Sequence, residues 1–296
     1  MFQYRIYGLK MDSDIPFRQL VEDTSDSTPD ITLRKSEPAD ELLELSKKYF
    51  FDMDPKFCWF HNATLYCWIE DGNRIFYYPR DNANEEDLRT YILGYGLSML
   101  FYQRNMPAIH CSALRKGEHA MLISGKSGSG KSTMASLFLD NGYDLMADDV
   151  LVTKVHDNTV YGYPAFPWTK LQRPIAEKRF PDMSELIYID EDKDKFLVPW
   201  KGEFRTDSAV IDSMFIMIVT PPDTETRITE VTGTDKIVLI LDNMFPRREI
   251  LLHKNNPIAV SMAAKLASSL RLYVVSRPDG HDTTDAIYRL IRENTK

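Results

Sequence analysis

Between residues 125 and 132 the chain reads Gly-Lys-Ser-Gly-Ser-Gly-Lys-Ser, with an apolar run before it and a helix-compatible run after it. No other stretch narrows the choice of fold as much. The pattern G-x-x-x-x-G-K-[ST] lets consecutive backbone N–H groups turn inward onto an anion, because its glycines accept backbone angles that side chains resist. It requires a strand leading in and a helix leading out. Ala120-Met121-Leu122-Ile123 and the run 131–141 meet both demands. A helix beginning at Lys131 adds the positive end of its dipole to the same anion site. The motif therefore specifies an α/β core that takes a nucleoside triphosphate. Gly125, Lys126, Ser127, Gly128, Ser129, Gly130, Lys131, Ser132 and the adjacent Thr133 are expected around the phosphates. Lys131 would reach the β and γ groups, and the Ser132 hydroxyl would be one ligand of Mg²⁺.

A phosphate loop needs a carboxylate to complete the metal shell, and Asp148-Asp149 follows the helix after Asn141-Gly142 and a short apolar run. Neighbouring side chains on an extended strand point to opposite sides, so the two carboxylates are expected to take different tasks. One would hold the metal and the other would accept a proton from an attacking hydroxyl. Elsewhere such a pair is usually a solvated turn; its place at the end of an apolar strand beside the loop favours function. His110, on the strand before the loop, stands between two readings, a group in the site or a packed core histidine. Cys111 beside it is expected to be buried rather than nucleophilic. Of the arginines downstream of the aspartates, Arg277 after the apolar run 272–275 is the chosen partner for a migrating phosphoryl group.

The rest of the chain supplies a frame. Residues 2–9 alternate as one strand, residues 63–70 and 74–78 read as a hairpin across Asp71-Gly72-Asn73, and residues 85–103 have helical spacing. These make a mixed α+β module over residues 1–105. The larger unit, 106–296, holds the loop, with strands at 108–114, 119–124, 143–147, 150–155, 214–220 and 272–276. Tyr161-Gly162-Tyr163-Pro164 reads as a turn, 182–195 as an exposed polar stretch, and 236–241 as either a strand or a helix start. Helices are expected at 257–270 and 283–293. Trp59, Phe60, Tyr66 and Trp68 read as core, with a peptide-binding surface as the alternative. The formal net charge of −8 at pH 7 argues against binding nucleic acid or an anionic membrane surface. Three scattered cysteines suit reduced thiols, and no leader-like or membrane-length apolar run is present, so a cytoplasmic protein is expected.

Taken together, His110, the 125–132 loop, Asn141-Gly142-Tyr143 and Ala147-Asp148-Asp149 resemble the catalytic core of HPr kinase/phosphorylase, over residues ~108–155. That family shares its nucleotide-site architecture with the phosphoenolpyruvate carboxykinases. The resemblance implies an α/β fold with an HPr kinase/phosphoenolpyruvate carboxykinase-like P-loop core and a smaller N-terminal module. It implies Asp148 as the base on an acceptor serine, Asp149 with Ser132 on Mg²⁺, and His110 near the γ-phosphate or the metal. Gly162-Tyr163-Pro164 and the C-terminal helix–strand–helix also look like the HPr kinase-related proteins of peptide-modification clusters, some of which phosphorylate a serine on a ribosomally made precursor peptide such as a lasso peptide precursor. The glycine-rich signature that follows the aspartates in true HPr kinases is not visible in 160–215, so a reverse phosphorylase reaction is not part of the expectation.

The leading expectation is an ATP-dependent serine kinase acting on a peptide or small protein. Two others stand beside it: a small-molecule kinase or carboxykinase-like enzyme, and a nucleotide-switched binding module without acceptor turnover. ATP against GTP, the acceptor and a homo-oligomeric state are left open by the sequence.

Overall fold

The computed structural model describes residues 1–184, 186–189 and 194–295. The chain opens with β1 (Phe2–Ile6), which returns through Tyr7-Gly8 as β2 (Leu9–Ser13). The run expected as one strand is thus the start of a hairpin. Its alternation crosses a two-residue turn without interruption, and only Gly8 signals the reversal. There follow β3 (Val21–Glu22), β4 (Ile31–Lys35), α1 (Asp40–Ser46), β5 (Phe51–Met53), β6 (Phe57–His61), β7 (Leu65–Glu70) and β8 (Arg74–Pro79). They form a sheet of order β3-β1-β2-β4-β8-β7-β6-β5. Contacts β2–β4 and β4–β8 are parallel, the others antiparallel. The expected hairpin between β7 and β8 turns at Asp71-Gly72, with φ of 53° and 64°. Helical backbone then runs from α2 (Glu85–Tyr91), capped by the Asn84 side chain, through a π-turn at Ile92–Gly96 into α3 (Leu97–Gln103).

The two faces of this sheet differ. Phe60 joins the main core, while Trp59 and Trp68 turn the other way and pack with Leu42 of α1. Tyr66 is half-buried beneath the Arg80 guanidinium, 4.2 Å from its ring centre. The aromatic group is therefore mainly packing.

The second half begins with β9 (Ala108–Lys116), β10 (His119–Gly125), α4 (Lys131–Asp140), β11 (Asp144–His156) and β12 (Thr159–Tyr163). A small separate sheet comes next, from β13 (Trp168–Gln172), α5 (Arg173–Arg179), β14 (Ile187–Ile189) and β15 (Lys195–Pro199). The chain then runs through β16 (Ala209–Thr220), β17 (Arg227–Val231), α6 (Asp235–Asn243), β18 (Met244–Phe245), α7 (Arg248–Leu251), α8 (Pro257–Ser269), β19 (Arg271–Pro278) and α9 (Thr284–Glu293). The main sheet has the order β10-β9-β11-β12-β16-β19-β17, and β10 also pairs with β16, which closes β9, β10, β16, β12 and β11 into a ring. β10 and β19 both run parallel to β16 on its two sides, with Gly125 beside Met217 and Met217 beside Val275.

Alternate side chains of these strands enter different cores. Met121, Ile123, Phe215, Met217, Tyr273 and Val275 pack with Met134 and Phe138 of α4 and with Ile287 and Ile291 of α9. Leu122, Met214, Ile216 and Leu272 face the opposite way, into an apolar cluster with α6 and α8 that also takes in Tyr4, Ile6, Leu33 and Phe101 from the first sheet and its helix. One apolar core thus spans both sheets. Tyr7 adds two polar ties: its hydroxyl donates to the Val150 carbonyl at 3.0 Å and its N–H to Pro164 at 2.9 Å.

Several local expectations need correction. Residues 161–163 are strand, not turn; the reversal lies at Asp157-Asn158, with φ of 47° and 58°. Asp148 and Asp149 do not lie between two strands but inside one long β11. Residues 236–241 belong to helix α6. The stretch 182–195 is not uniformly exposed, because Leu186, Ile187 and Ile189 are buried in the small sheet; 185 and 190–193 lie outside the described residues. Among the described residues, no helix is long and apolar enough to cross a membrane.

Gly162 tests the packing within the ring. A Cβ there would lie 2.6 Å from Ile211 Cδ1 and 2.9 Å from Leu151 Cδ2, both from buried side chains. Overpacking a full core costs about 1–3 kcal/mol. Gly162→Ala is expected to lower the urea midpoint by that amount of stability with an unchanged m-value.

Candidate functional site

At the carboxyl ends of β10, β16 and β19, the chain leaves the sheet at Gly125. Gly125 has φ of 140°, and a Cβ there would collide with the Met217 carbonyl oxygen and lie 2.7 Å from Ser129 Oγ. Only glycine meets both conditions. The loop then passes through Gly128 to Gly130, which ends it at the start of α4. Ser129 is buried and, among the described residues, its Oγ has no hydrogen-bond partner. Lys126, Ser127, Gly128, Ser132 and Thr133 are exposed around the mouth. Lys131 curls inward: its ammonium donates to the Gly125 carbonyl at 2.7 Å and lies 3.5 Å from His110 Nε2. Beneath it, Ser124 Oγ lies 2.6 Å from both the His110 carbonyl and Asn243 Oδ1, tying β9, β10 and α6 under the loop.

β9 lies beside β11, with Ser112 opposite Asp148 and Cys111 opposite Asp149. Ser112 donates to Asp148 Oδ1 at 2.6 Å, and the Lys170 backbone N–H donates to Asp148 Oδ2 at 2.8 Å. Asp149 has its Oδ1 3.5 Å from His110 Nδ1 and its Oδ2 3.1 Å from the Lys170 ammonium. The expected separation of the carboxylates to opposite sides does not hold. Both reach Lys170, and both act electrostatically on Lys131. The departure is local: Asp149 has φ of 120°, outside the regular strand range, which breaks the alternation between it and Asp148. Asp148 and Ser132 line one small cavity with Thr169 and Trp200. Arg277, on β19 opposite Val219, donates to the Gly128 carbonyl at 3.4 Å, and its buried Nε has no partner among the described residues.

The charges act on one another. Burial raises the cost of ionising Asp149, but Lys170 first and His110 second reverse this and hold its carboxyl below the usual range. Burial also lowers the His110 pKa; Asp149 opposes the shift, while Lys131 and Lys170 reinforce it. Lys131 is lowered too, mainly by burial, with Asp148 and Asp149 working against the shift. His110 is thus a half-buried group at the site, in contact with Asp149 and Lys131. Cys111 is buried and its thiol is pushed upward by burial, which removes it as a nucleophile.

The expected residues Asp148, Asp149, His110, Lys131 and Arg277 therefore meet around the 125–133 loop. Ser112, Lys170 and Lys195 were not anticipated. Lys195, paired with Gln172 in the small sheet, is close enough for its charge to act on both Lys131 and Asp149. Lys170 lies in a run, Trp168-Thr169-Lys170-Leu171-Gln172, that carries no motif and reads as any short strand. Among the described residues no group of three or more His, Cys, Asp and Glu side chains is placed to hold a metal by itself. The donor chemistry still suits Mg²⁺, which takes hard oxygen ligands and is commonly held by one or two carboxylates plus substrate phosphates. Asp149, Asp148 and the Ser132 hydroxyl are the oxygen groups here that would hold such an ion.

The fold is a mixed α/β arrangement of several sheets, with a glycine-rich loop at the ends of parallel strands. No protein-family model matches the chain, and no curated protein matches it. Among solved structures it is similar to the Hpr(Ser) kinase/phosphatase from Coxiella burnetii, with 14 % identity, 63 % of this chain and 95 % of that chain covered, and a TM-score of 0.32.

The His110 environment has a pH consequence. Its folded pKa is below that of the unfolded chain, so the unfolded chain takes up the proton first. The contribution to stability is therefore complete above about pH 6.5 and declines as pH falls toward the folded value. In an NMR titration the His110 ring is expected to titrate below the ordinary histidine value. Asp149→Asn should lower it further, since Asp149 is the main charge supporting the protonated form; an upward move would contradict this account.

Proposed function

We propose that the chain is an ATP-dependent kinase that transfers the γ-phosphoryl group to a serine hydroxyl on a peptide or small protein. The observation that carries this reading is the convergence of Lys131, Arg277 and the two aspartates on one glycine-rich loop. A loop of inward N–H groups holds a triphosphate, but simple binding does not call for a pair of carboxylates beside its lysine. Transfer does, because it needs cations around the migrating group and an acceptor for the hydroxyl proton.

In this scheme the loop backbone and the N-terminus of α4 bind the β- and γ-phosphates, and Lys131 exchanges the Gly125 carbonyl for phosphate oxygen. The serine oxygen forms a bond to the γ-phosphorus as the bond to the β-phosphate oxygen breaks, and ADP carries away that electron pair. The serine proton passes to Asp148. Arg277 draws on the charge of the transferred group. Asp149 and Ser132 would hold Mg²⁺, which when bound neutralises phosphate charge and orients the triphosphate. The shared cavity of Asp148 and Ser132 favours a second division of labour, with Asp148 on the metal and Asp149 taking the proton.

Incubation with labelled ATP, Mg²⁺ and serine-containing precursor peptides is the direct test. Label should appear on serine in an acceptor-dependent manner. Asp148→Asn is expected to slow turnover about 10²–10⁴-fold, and Arg277→Met about 10²–10³-fold, with smaller changes in nucleotide affinity. Turnover by Asp148→Asn equal to the parent would show that Asp148 is not the base. Tight nucleotide binding without acceptor-dependent turnover would replace the kinase reading with that of a switch. Transfer to a metabolite with no peptide present would indicate a small-molecule kinase.

A further inference from the structure

Lys170 reaches the site from a different element than Lys131 or Arg277. Lys131 belongs to the loop and Arg277 to the main sheet, but Lys170 comes from β13 in the small three-stranded sheet. Its backbone N–H donates to Asp148 at 2.8 Å and its ammonium lies 3.1 Å from Asp149 Oδ2, so a single residue engages both carboxylates. Its side chain is only 14 % exposed, compared with 31 % for Asp149. The backbone bond is fixed by β13, whereas the ammonium stands on a flexible four-carbon stem and can leave without disturbing the sheet.

Two adjacent carboxylates in a partly buried site are a natural attractor for a divalent cation. A cation bound through Asp149 would take the oxygen that the ammonium now contacts, and two such positive charges a few ångströms apart in a poorly solvated site repel strongly. We propose that Lys170 is a built-in counter-ion that competes with the divalent metal for Asp149, so that metal enters well only when a triphosphate accompanies it. The triphosphate offsets the displaced ammonium by offering it new anionic partners, and the Lys170 N–H keeps Asp148 in place throughout. Metal entry and nucleotide entry are thereby coupled by one side chain. The role assigned to the nucleotide rests on the kinase reading; competition for Asp149 does not.

The test uses the full chain and Mn²⁺ alone, a paramagnetic ion that accepts the same oxygen ligands as Mg²⁺. Free Mn²⁺ is measured by electron paramagnetic resonance as protein is titrated in without nucleotide. Lys170→Met is expected to bind Mn²⁺ at least about tenfold more tightly than the parent, because an ammonium no longer opposes the ion. Lys170→Arg, which keeps the charge, should stay near the parent, and adding Asp149→Asn to Lys170→Met should abolish the gain. If Lys170→Met is folded and binds Mn²⁺ no better than the parent, Lys170 is a structural tie and the proposal fails. If Lys170→Met does not fold, Lys170→Gln replaces it under the same two outcomes. Tighter Mn²⁺ binding in a protein that transfers no phosphate would sink the kinase reading while upholding the competition.

Discussion

The close approach of Gly125 to the Met217 carbonyl is the constraint on which the rest of the site depends. With no Cβ in the way, β10 can run to its last residue against β16 and then leave the sheet at an angle closed to other residues. The loop is therefore anchored to the backbone of a central strand rather than to a side chain. The same strand pairs with β19, so Arg277 arrives beside the loop through sheet geometry alone. The ring closed by β10 and β16 also fixes β9 and β11 next to the loop, and with them His110 and the aspartates.

Around this anchor the charges are mutually dependent. Lys170 is the main group that draws the Asp149 carboxyl below its usual range against the effect of burial. His110 is pressed toward its neutral form by its own burial and by two lysines, with Asp149 as the main opposing charge. Changing any one group alters the others, so single substitutions here report on the cluster rather than on one residue. The small sheet matters for the same reason. It lies apart from the main sheet yet contributes Lys170 and, close by, Lys195.

Much of the site was legible because local chemistry specifies it. Gly125, Gly128 and Gly130 are needed by backbone angle, Lys131 and Ser132 by the helix start, and Asp148-Asp149 by an apolar strand beside the loop. Arg277 could be singled out because a strand end is a good place from which to reach a ligand. What stayed hidden is non-local. Lys170 meets Asp149 across 21 residues of chain and a different sheet, and Trp168-Thr169-Lys170-Leu171-Gln172 has no periodicity of its own to announce it. The unusual backbone angle at Asp149, which breaks the alternation between the two aspartates, is likewise not announced by the pattern of β11. Residues 161–163 misled for a related reason. Gly162 is a glycine for want of space beside Leu151 and Ile211, not for the sake of a turn.

Tyr7 joins the first hairpin to β11 immediately beyond Asp149, through the Val150 carbonyl, and a single apolar core continues across that junction. The first hairpin is thus tied to the strand that carries both aspartates, like a splint on a bone. A fragment beginning near 106 would retain every residue of the candidate site and yet lose the brace on the strand that aims two of them. The tyrosine at the first turn of one sheet thus sets the footing of a strand in the other, one residue away from a carboxylate of the candidate site.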